Sequence, residues 1–328
     1  MKKLLLTALI GLTSFTYANI NAVVSILPQQ TFLEKIGGDK VNIALMVKPG
    51  NSPHIYEPKP SQMRNISKAD VYFTIGVDFE DVWLKKFQNL NNSMIIKDMS
   101  QNITKIDMVE HSHHDEKNHE QEDHDDHSKH EHKEEKHHDE HDDHAKHKHD
   151  EEKHHDDHAK HEHDEHHHEG KDPHVWTSPE NVKIIATNIY KQLSVLDEKN
   201  EPYYKKNLNT FLKEIEETDN KIKNLLKDTP DHTKFMVFHP AWGYFAKTYH
   251  LEQIAIESGG KNPKPKQIAH LIDEAKEENV KAVFTAPEFS TKAAKQIAKE
   301  VGVPVVKISP LSPEWSKNLI ELAKAISN

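Results

Sequence analysis

Twenty-two of the 28 histidines in this chain fall between His111 and His168, inside a segment from Glu110 to Glu169 made of almost nothing but His, Asp, Glu and Lys. Neutral imidazole is the commonest protein ligand for zinc, copper and nickel, so such a concentration points to the handling of a transition metal. A tract of Asp, Glu and Lys alone would read as a solvated linker. Histidine adds little solubilising charge near neutral pH, which leaves metal capture, through many weak and ill-defined sites, as the reading of the run.

Six histidines lie outside it: His54, His174, His232, His239, His250 and His270. Three of them occupy stiff, proline-bearing loops beside expected strand or helix ends. His54 sits in Pro49-Gly-Asn-Ser-Pro-His-Ile-Tyr-Glu-Pro-Lys-Pro60, His174 in Asp172-Pro-His-Val-Trp-Thr-Ser-Pro179, and His239 in His239-Pro-Ala-Trp-Gly-Tyr-Phe245. Proline restricts the backbone there, and a metal site works only if its ligands are held near their bound geometry. Taken singly, a histidine in such a loop is more often a surface residue. His232, His250 and His270 have no motif around them and are expected at the surface. Trp176, Trp242, Tyr244 and Phe245 are expected to wall a cleft.

The run is not expected to fold. It offers no Leu, Ile, Phe or Val to offset the entropy of ordering its backbone, and it repeats itself: His141-Asp-Asp-His-Ala-Lys-His-Lys-His-Asp-Glu151 returns fourteen residues later as His155-Asp-Asp-His-Ala-Lys-His-Glu-His-Asp-Glu165. Residues 110–170 carry a net charge of −16 against −11 for the whole chain, so everything else sums to +5. That modest excess is no basic stripe, and a nucleic-acid partner is not expected. At the N-terminus, Lys2 and Lys3 precede an apolar stretch from Leu4 to Tyr17, with Thr16-Tyr17-Ala18 as a cleavage site. This reads as a signal peptide for export to the periplasm. The chain has no cysteine, hence neither thiolate ligands nor a lipid-attachment Cys after the signal.

Alternation of short apolar runs with amphipathic segments supplies the frame. Expected strands are Ala22–Leu27, Val41–Val47, Val71–Ile75, Met94–Lys97, Lys234–Phe238, Leu251–Ile256, Ala282–Phe284 and Val303–Ile308. Between them fall helices at Phe32–Ile36, Ser61–Lys68, Phe79–Gln88, Ala241–Thr248, Lys266–Glu278, Thr291–Glu300 and Glu314–Ser327. This βα pattern gives an α/β fold of two lobes, each a mostly parallel sheet flanked by helices. Open sheets of that kind bind ligands at the carboxyl ends of their strands. Between the lobes, helical spacing runs through residues 179–196 and 202–227, the second long enough to act as a rigid strut. The boundaries expected are 1–18 for the signal peptide, 19–109 for the N-terminal lobe and 110–170 for a disordered His/Asp/Glu-rich metal-binding loop. The second ligand motif with the linker helices takes 171–231, and the C-terminal lobe 232–328.

The three histidine loops, in this order and with a His-rich insert before the second, resemble the cluster A-I periplasmic metal-binding proteins of ABC importers, in particular their ZnuA-type zinc-binding branch. The resemblance covers the whole mature chain. It implies His54, His174 and His239 as Zn²⁺ ligands in a cleft between the lobes, a fourth position that is open or water-filled, and delivery of the ion to an inner-membrane permease by a monomer. Two departures bear on the fourth ligand. The manganese and iron members use an acid before the last helix, where Lys307-Ile-Ser-Pro-Leu-Ser-Pro-Glu-Trp315 has Ser309; some zinc members carry a glutamate just before the first histidine, where this chain has Pro53. The fourth ligand is therefore water, a histidine of the run, or Glu288 in Ala286-Pro-Glu-Phe289. Imidazole suits Zn, Cu and Ni and carboxylate suits Mn, so the histidine set favours zinc, with copper set aside only by availability and geometry. Two other functions remain open at this stage. A zinc hydrolase could use a His₃–water site, although no His-Glu-x-x-His occurs. A periplasmic metal buffer or surface adhesin could rest on the run alone, although the two-lobed body exceeds what a buffer needs.

Overall fold

The computed structural model describes residues 19–108, 170–258 and 260–327. Residues 1–18, read as an export signal, and the whole His-rich run from Glu110 to Glu169 therefore lie outside the described residues. The N-terminal sheet is built from β1 (Ile20–Val24), β2 (Val41–Leu45), β3 (Val71–Thr74) and β4 (Ile95–Asp98), in the order β2-β1-β3-β4. The C-terminal sheet repeats that order as β6-β5-β7-β8, with β5 (Lys234–Val237), β6 (Glu252–Ala255), β7 (Val283–Thr285) and β8 (Val305–Lys307). Every pairing is parallel, with Ile20 opposite Val41 and Lys234 opposite Glu252. Buried Val, Ile, Phe and Tyr fill the central strands β1, β3 and β5, as sheets covered on both faces require.

Helices close each crossover: α1 (Leu27–Gly37), α2 (Pro60–Ile66) and α3 (Asp78–Leu90) in the first half, α6 (Gly243–Thr248), α7 (Pro265–Glu277) and α8 (Lys292–Val301) in the second. The first strand ends at Val24 rather than Leu27, and the first helix starts at Leu27 rather than Phe32. Two local effects explain the difference. Pro28 is favourable in a first helical turn, and the buried Gln29 amide oxygen accepts the N–H groups of Ser25 and Ile26 (2.9 and 3.1 Å), capping the helix from inside.

Between the halves run α4 (Pro179–Leu196) and α5 (Glu201–Leu226). With 26 residues α5 is about 39 Å long. Its buried face, through Leu208, Phe211 and Ile215, meets α1, α4 and the terminal helix α9 (Trp315–Ser327). Phe211 lies 5.7 Å from Phe32 of α1 and 6.5 Å from Trp315 of α9, and those two rings lie edge to face at 5.7 Å. One continuous core thus includes both halves and the long helix, while a second cluster packs α7 and α8 on the outer side of the C-terminal sheet.

Where the chain enters and leaves the run, its two ends are tied together. Met108 N–H donates to Gly170 O (3.1 Å), Asp172 N–H to Ile106 O (2.8 Å), and Lys171 pairs with Asp107 as an antiparallel bridge and an ion pair (2.6 Å).

A buried carboxylate fastens the carboxyl end of β3. Glu80, in the first turn of α3, accepts the Ser25 hydroxyl together with the N–H groups of Ile75 and Gly76 (3.0 and 2.7 Å to Oε2). Burial nonetheless pushes its pKa up to about 7, against the lowering effect of those donors. Because the folded value lies above the unfolded one of 4.5, this group's contribution to stability is fully present below pH 4.5 and is lost as pH rises through about 7. Denaturant unfolding of the metal-free protein at pH 5 and pH 8 should show Glu80→Gln escaping a pH-dependent loss on the order of 2–3 kcal/mol. Parallel pH slopes for the two proteins would refute this.

Candidate metal centre

Parallel strands in both halves bring their carboxyl ends, and the loops that follow them, to one region. His54 lies in the loop between β2 and α2, and its Nδ1 is 2.7 Å from Oδ2 of Asp78, the first residue of α3. His174 stands just before a short 3₁₀ turn, Val175–Thr177, that leads into α4. The Asp172 Oδ1 accepts both its backbone N–H and its Nδ1–H, each at 2.8 Å. His239 follows β5; its Nδ1 is 2.7 Å from Glu257 Oε1 just beyond β6, and its ring stacks on Phe289 at 4.6 Å. The three rings adjoin, with centroids 5.1 Å apart for His54 and His239 and again for His174 and His239. His174 and His239 are buried, whereas the His54 side chain keeps 22% of its surface exposed.

The carboxylates decide where the protons are. An ionised carboxylate only accepts, so in a neutral ring the Nδ1 facing it carries the hydrogen and Nε2 keeps its lone pair. The Nε2 atoms of His174 and His239 then face each other at 3.4 Å. Two nitrogens bound to one tetrahedral ion at ~2.0–2.1 Å would be ~3.3 Å apart. Carboxylate–histidine pairs of this kind orient imidazole ligands and raise their basicity. The donor set is nitrogen-rich, which suits zinc better than manganese.

The structure brings His54, His174 and His239 together and leaves the other three apart. His232 and His250 precede β5 and β6, at the strand ends opposite His239, and His270 is exposed on α7. Glu288 accepts the Ser309 hydroxyl with both oxygens (3.0 and 3.1 Å), and burial raises its pKa. The aromatic residues expected to wall the cleft are mostly core. Trp176 donates to Pro310 O and accepts the Trp315 indole N–H at its own carbonyl (both 2.8 Å), and Trp242 and Phe245 pack inward beside Phe235. Of the four, Trp176 meets a histidine ring, that of His174 at 5.3 Å. Phe289 takes the wall position instead.

Sequence reasoning missed Asp78, Asp172, Glu257 and Phe289. Asp172 was within reach, since Asp-x-His lets a carboxylate fold back on the imidazole two residues on. The others come from different elements and leave no local signal.

Two parallel α/β halves braced by a long helix, with three carboxylate-backed imidazoles gathered where loops from both halves meet, define a two-lobed α/β protein of the solute-binding type. The chain belongs to the family described as "ZnuA: Zinc-uptake complex component A periplasmic", whose model matches residues 22–327. It is 29% identical over 305 residues to the zinc-binding protein AdcA of Streptococcus pyogenes serotype M3, covering 92% of this chain but 52% of AdcA. The chain thus spans about half the length of that relative. It is 28% identical over 289 residues to the high-affinity zinc uptake system protein ZnuA of Bacillus subtilis, covering 86% of this chain and 76% of that one. Among solved structures, a 138–173 ZnuA deletion mutant plus zinc bound superposes with a TM-score of 0.73 at 36% identity, covering 94% of this chain and 97% of that one.

Burial lowers the His239 pKa to about 4, an effect that outweighs the raising influence of Glu257. A lowered value means that the neutral, lone-pair-bearing form survives mild acid. An NMR titration of the metal-free protein should find the His239 ring still neutral at pH 5. A midpoint near the ordinary ~6.5 of histidine would contradict the burial seen here.

Proposed function

We propose that this chain captures Zn²⁺ outside the cytoplasm with His54, His174 and His239 and delivers it to the membrane permease of an ABC importer. The observation that carries the reading is the pair of Nε2 atoms at 3.4 Å on imidazoles whose Nδ1 atoms are each taken by a carboxylate. Two nitrogens facing each other at that distance, with their Nδ1 atoms occupied, are seated to share one cation. Zinc as that cation is supported by the donor chemistry and by the names of AdcA, the Bacillus ZnuA and the zinc-bound ZnuA mutant. Export to the periplasm is supported by the leader-like residues Lys2 to Ala18 and by the family's description as periplasmic.

The fourth position falls to water or to a histidine of the run; Glu288 would first have to exchange its Ser309 hydroxyl for the metal. One chain supplies all three imidazoles, so a monomer suffices. A carrier fits the pocket better than a hydrolase, because Asp78, Asp172 and Glu257 are engaged by Nδ1 atoms rather than poised as a general base. The His-rich run adds weak sites around this single tight one.

Calorimetry should find tight zinc binding severely weakened in His54→Ala, His174→Ala and His239→Ala, with thermal melting of the metal-free proteins little changed. Unchanged tight binding in any of the three would strike that residue from the site. Deleting Ser112 to Glu169, which keeps Asp107 and Lys171, should remove several weak equivalents and leave one tight equivalent on a folded body. Loss of the tight equivalent would mean that the run contributes a required ligand.

A further inference from the structure

The first turn of α6 carries a glycine that its backbone does not require. Gly243 is not among the left-handed glycines of this chain, and glycine is a poor helix residue. Its reason lies across the fold: a Cβ at Gly243 would come within 2.7 Å of Asp172 Oδ2. The next residue, Tyr244, donates its hydroxyl to the Asp172 carbonyl (2.8 Å) and accepts the Ile106 N–H (3.2 Å). Burial pushes the Tyr244 phenol up to about 12, so it is a donor throughout the physiological range. Asp172 is thereby held on every side. Its N–H is bonded to Ile106 O, its carbonyl to Tyr244, its Oδ2 fills the space left by Gly243, and its Oδ1 accepts both N–H groups of His174.

We propose that Gly243 and Tyr244 are positioning residues for the metal centre, seating Asp172 so that its carboxylate sets the tautomer and direction of the His174 imidazole. The inference rests on reading His174 as a zinc ligand. Gly243 and Tyr244 follow His239 by four and five residues on one short segment. The seat therefore joins the second and third ligand motifs into one preformed unit, with the more exposed His54 loop completing the site.

The test measures zinc affinity of the full chain by competition with a chromophoric chelator strong enough to keep the weak sites of the run empty. Tyr244→Phe and Gly243→Ala should each raise the Kd of the tight site about 10-fold or more while Asp172 is present, the scale on which loss of an outer partner acts. In an Asp172→Ala background, itself weakened by about 10- to 100-fold, the same two changes should add little, because the carboxylate they act through is gone. Tyr244→Phe should also shift the His174 Nδ1 proton resonance of the metal-free protein, which a general loss of stability would not do. Equal fold-changes in both backgrounds, or an unchanged Kd for Tyr244→Phe, would overturn the inference. Should Gly243→Ala fail to fold, Tyr244→Phe, which removes a single oxygen, decides alone. His174→Gln separates the two readings. If it leaves tight binding intact, the assignment of the ligand falls; if it abolishes binding while Tyr244→Phe has no effect, only the seat falls.

Discussion

Imidazoles can turn their Nε2 atoms toward one another when their Nδ1 atoms are held on the far side. Asp78, Asp172 and Glu257 do this by accepting at Nδ1 of His54, His174 and His239, and every other part of the site follows from it. With Nδ1 turned to the carboxylates, the Nε2 atoms of His174 and His239 turn toward each other at 3.4 Å. Burial adds to this by holding His239 neutral. Asp172 and Glu257 lie on the Nδ1 side of their rings, away from the facing Nε2 atoms.

Such a cluster needs a frame that fixes the separation of the loops that carry it. The repeated strand order delivers a loop from each half to the same place, but order alone does not fix their separation. That task falls to α5, whose Phe211 stands between Phe32 of the first half and Trp315 of the last helix. Trp176, two residues from His174, adds a second brace through its hydrogen bonds to Pro310 and from Trp315. The ligand loops hang from a shared core, so the distance between the two halves is a property of packing rather than of the loops. The outer layer of α7 and α8, packed as its own cluster, lies beyond that brace.

Much of this was legible in the residues. Periodicity located each strand and helix of both halves, and the Pro-rich settings of His54, His174 and His239 picked these three from the six histidines outside the run. Boundaries drifted where a side chain overrode the pattern: Gln29 caps α1 from within, so the helix begins at Leu27 although the apolar stretch reads on as strand. The aromatic motif after His239 misled for a related reason. Trp242 and Phe245 look like the wall of a cleft because they follow His239 closely, yet the turn into α6 sends them into the core. Asp78 and Glu257 could not be read at all, since their partnership with His54 and His239 exists only once β3 and β6 are laid beside β1 and β5.

The ladder at Asp107 and Lys171 bears on how a chain can come to hold such a run at all. Because the ladder joins the two ends where the run enters and leaves, added length between them costs the body ring-closure entropy. That cost rises with the logarithm of length, on the order of 0.6 kcal/mol for each doubling. The fourteen-residue unit that begins at His141 and returns at His155 is the kind of duplication this tolerance admits. Each further copy of that unit would add histidines to the sequence between the joined ends for a ring-closure cost that grows only logarithmically.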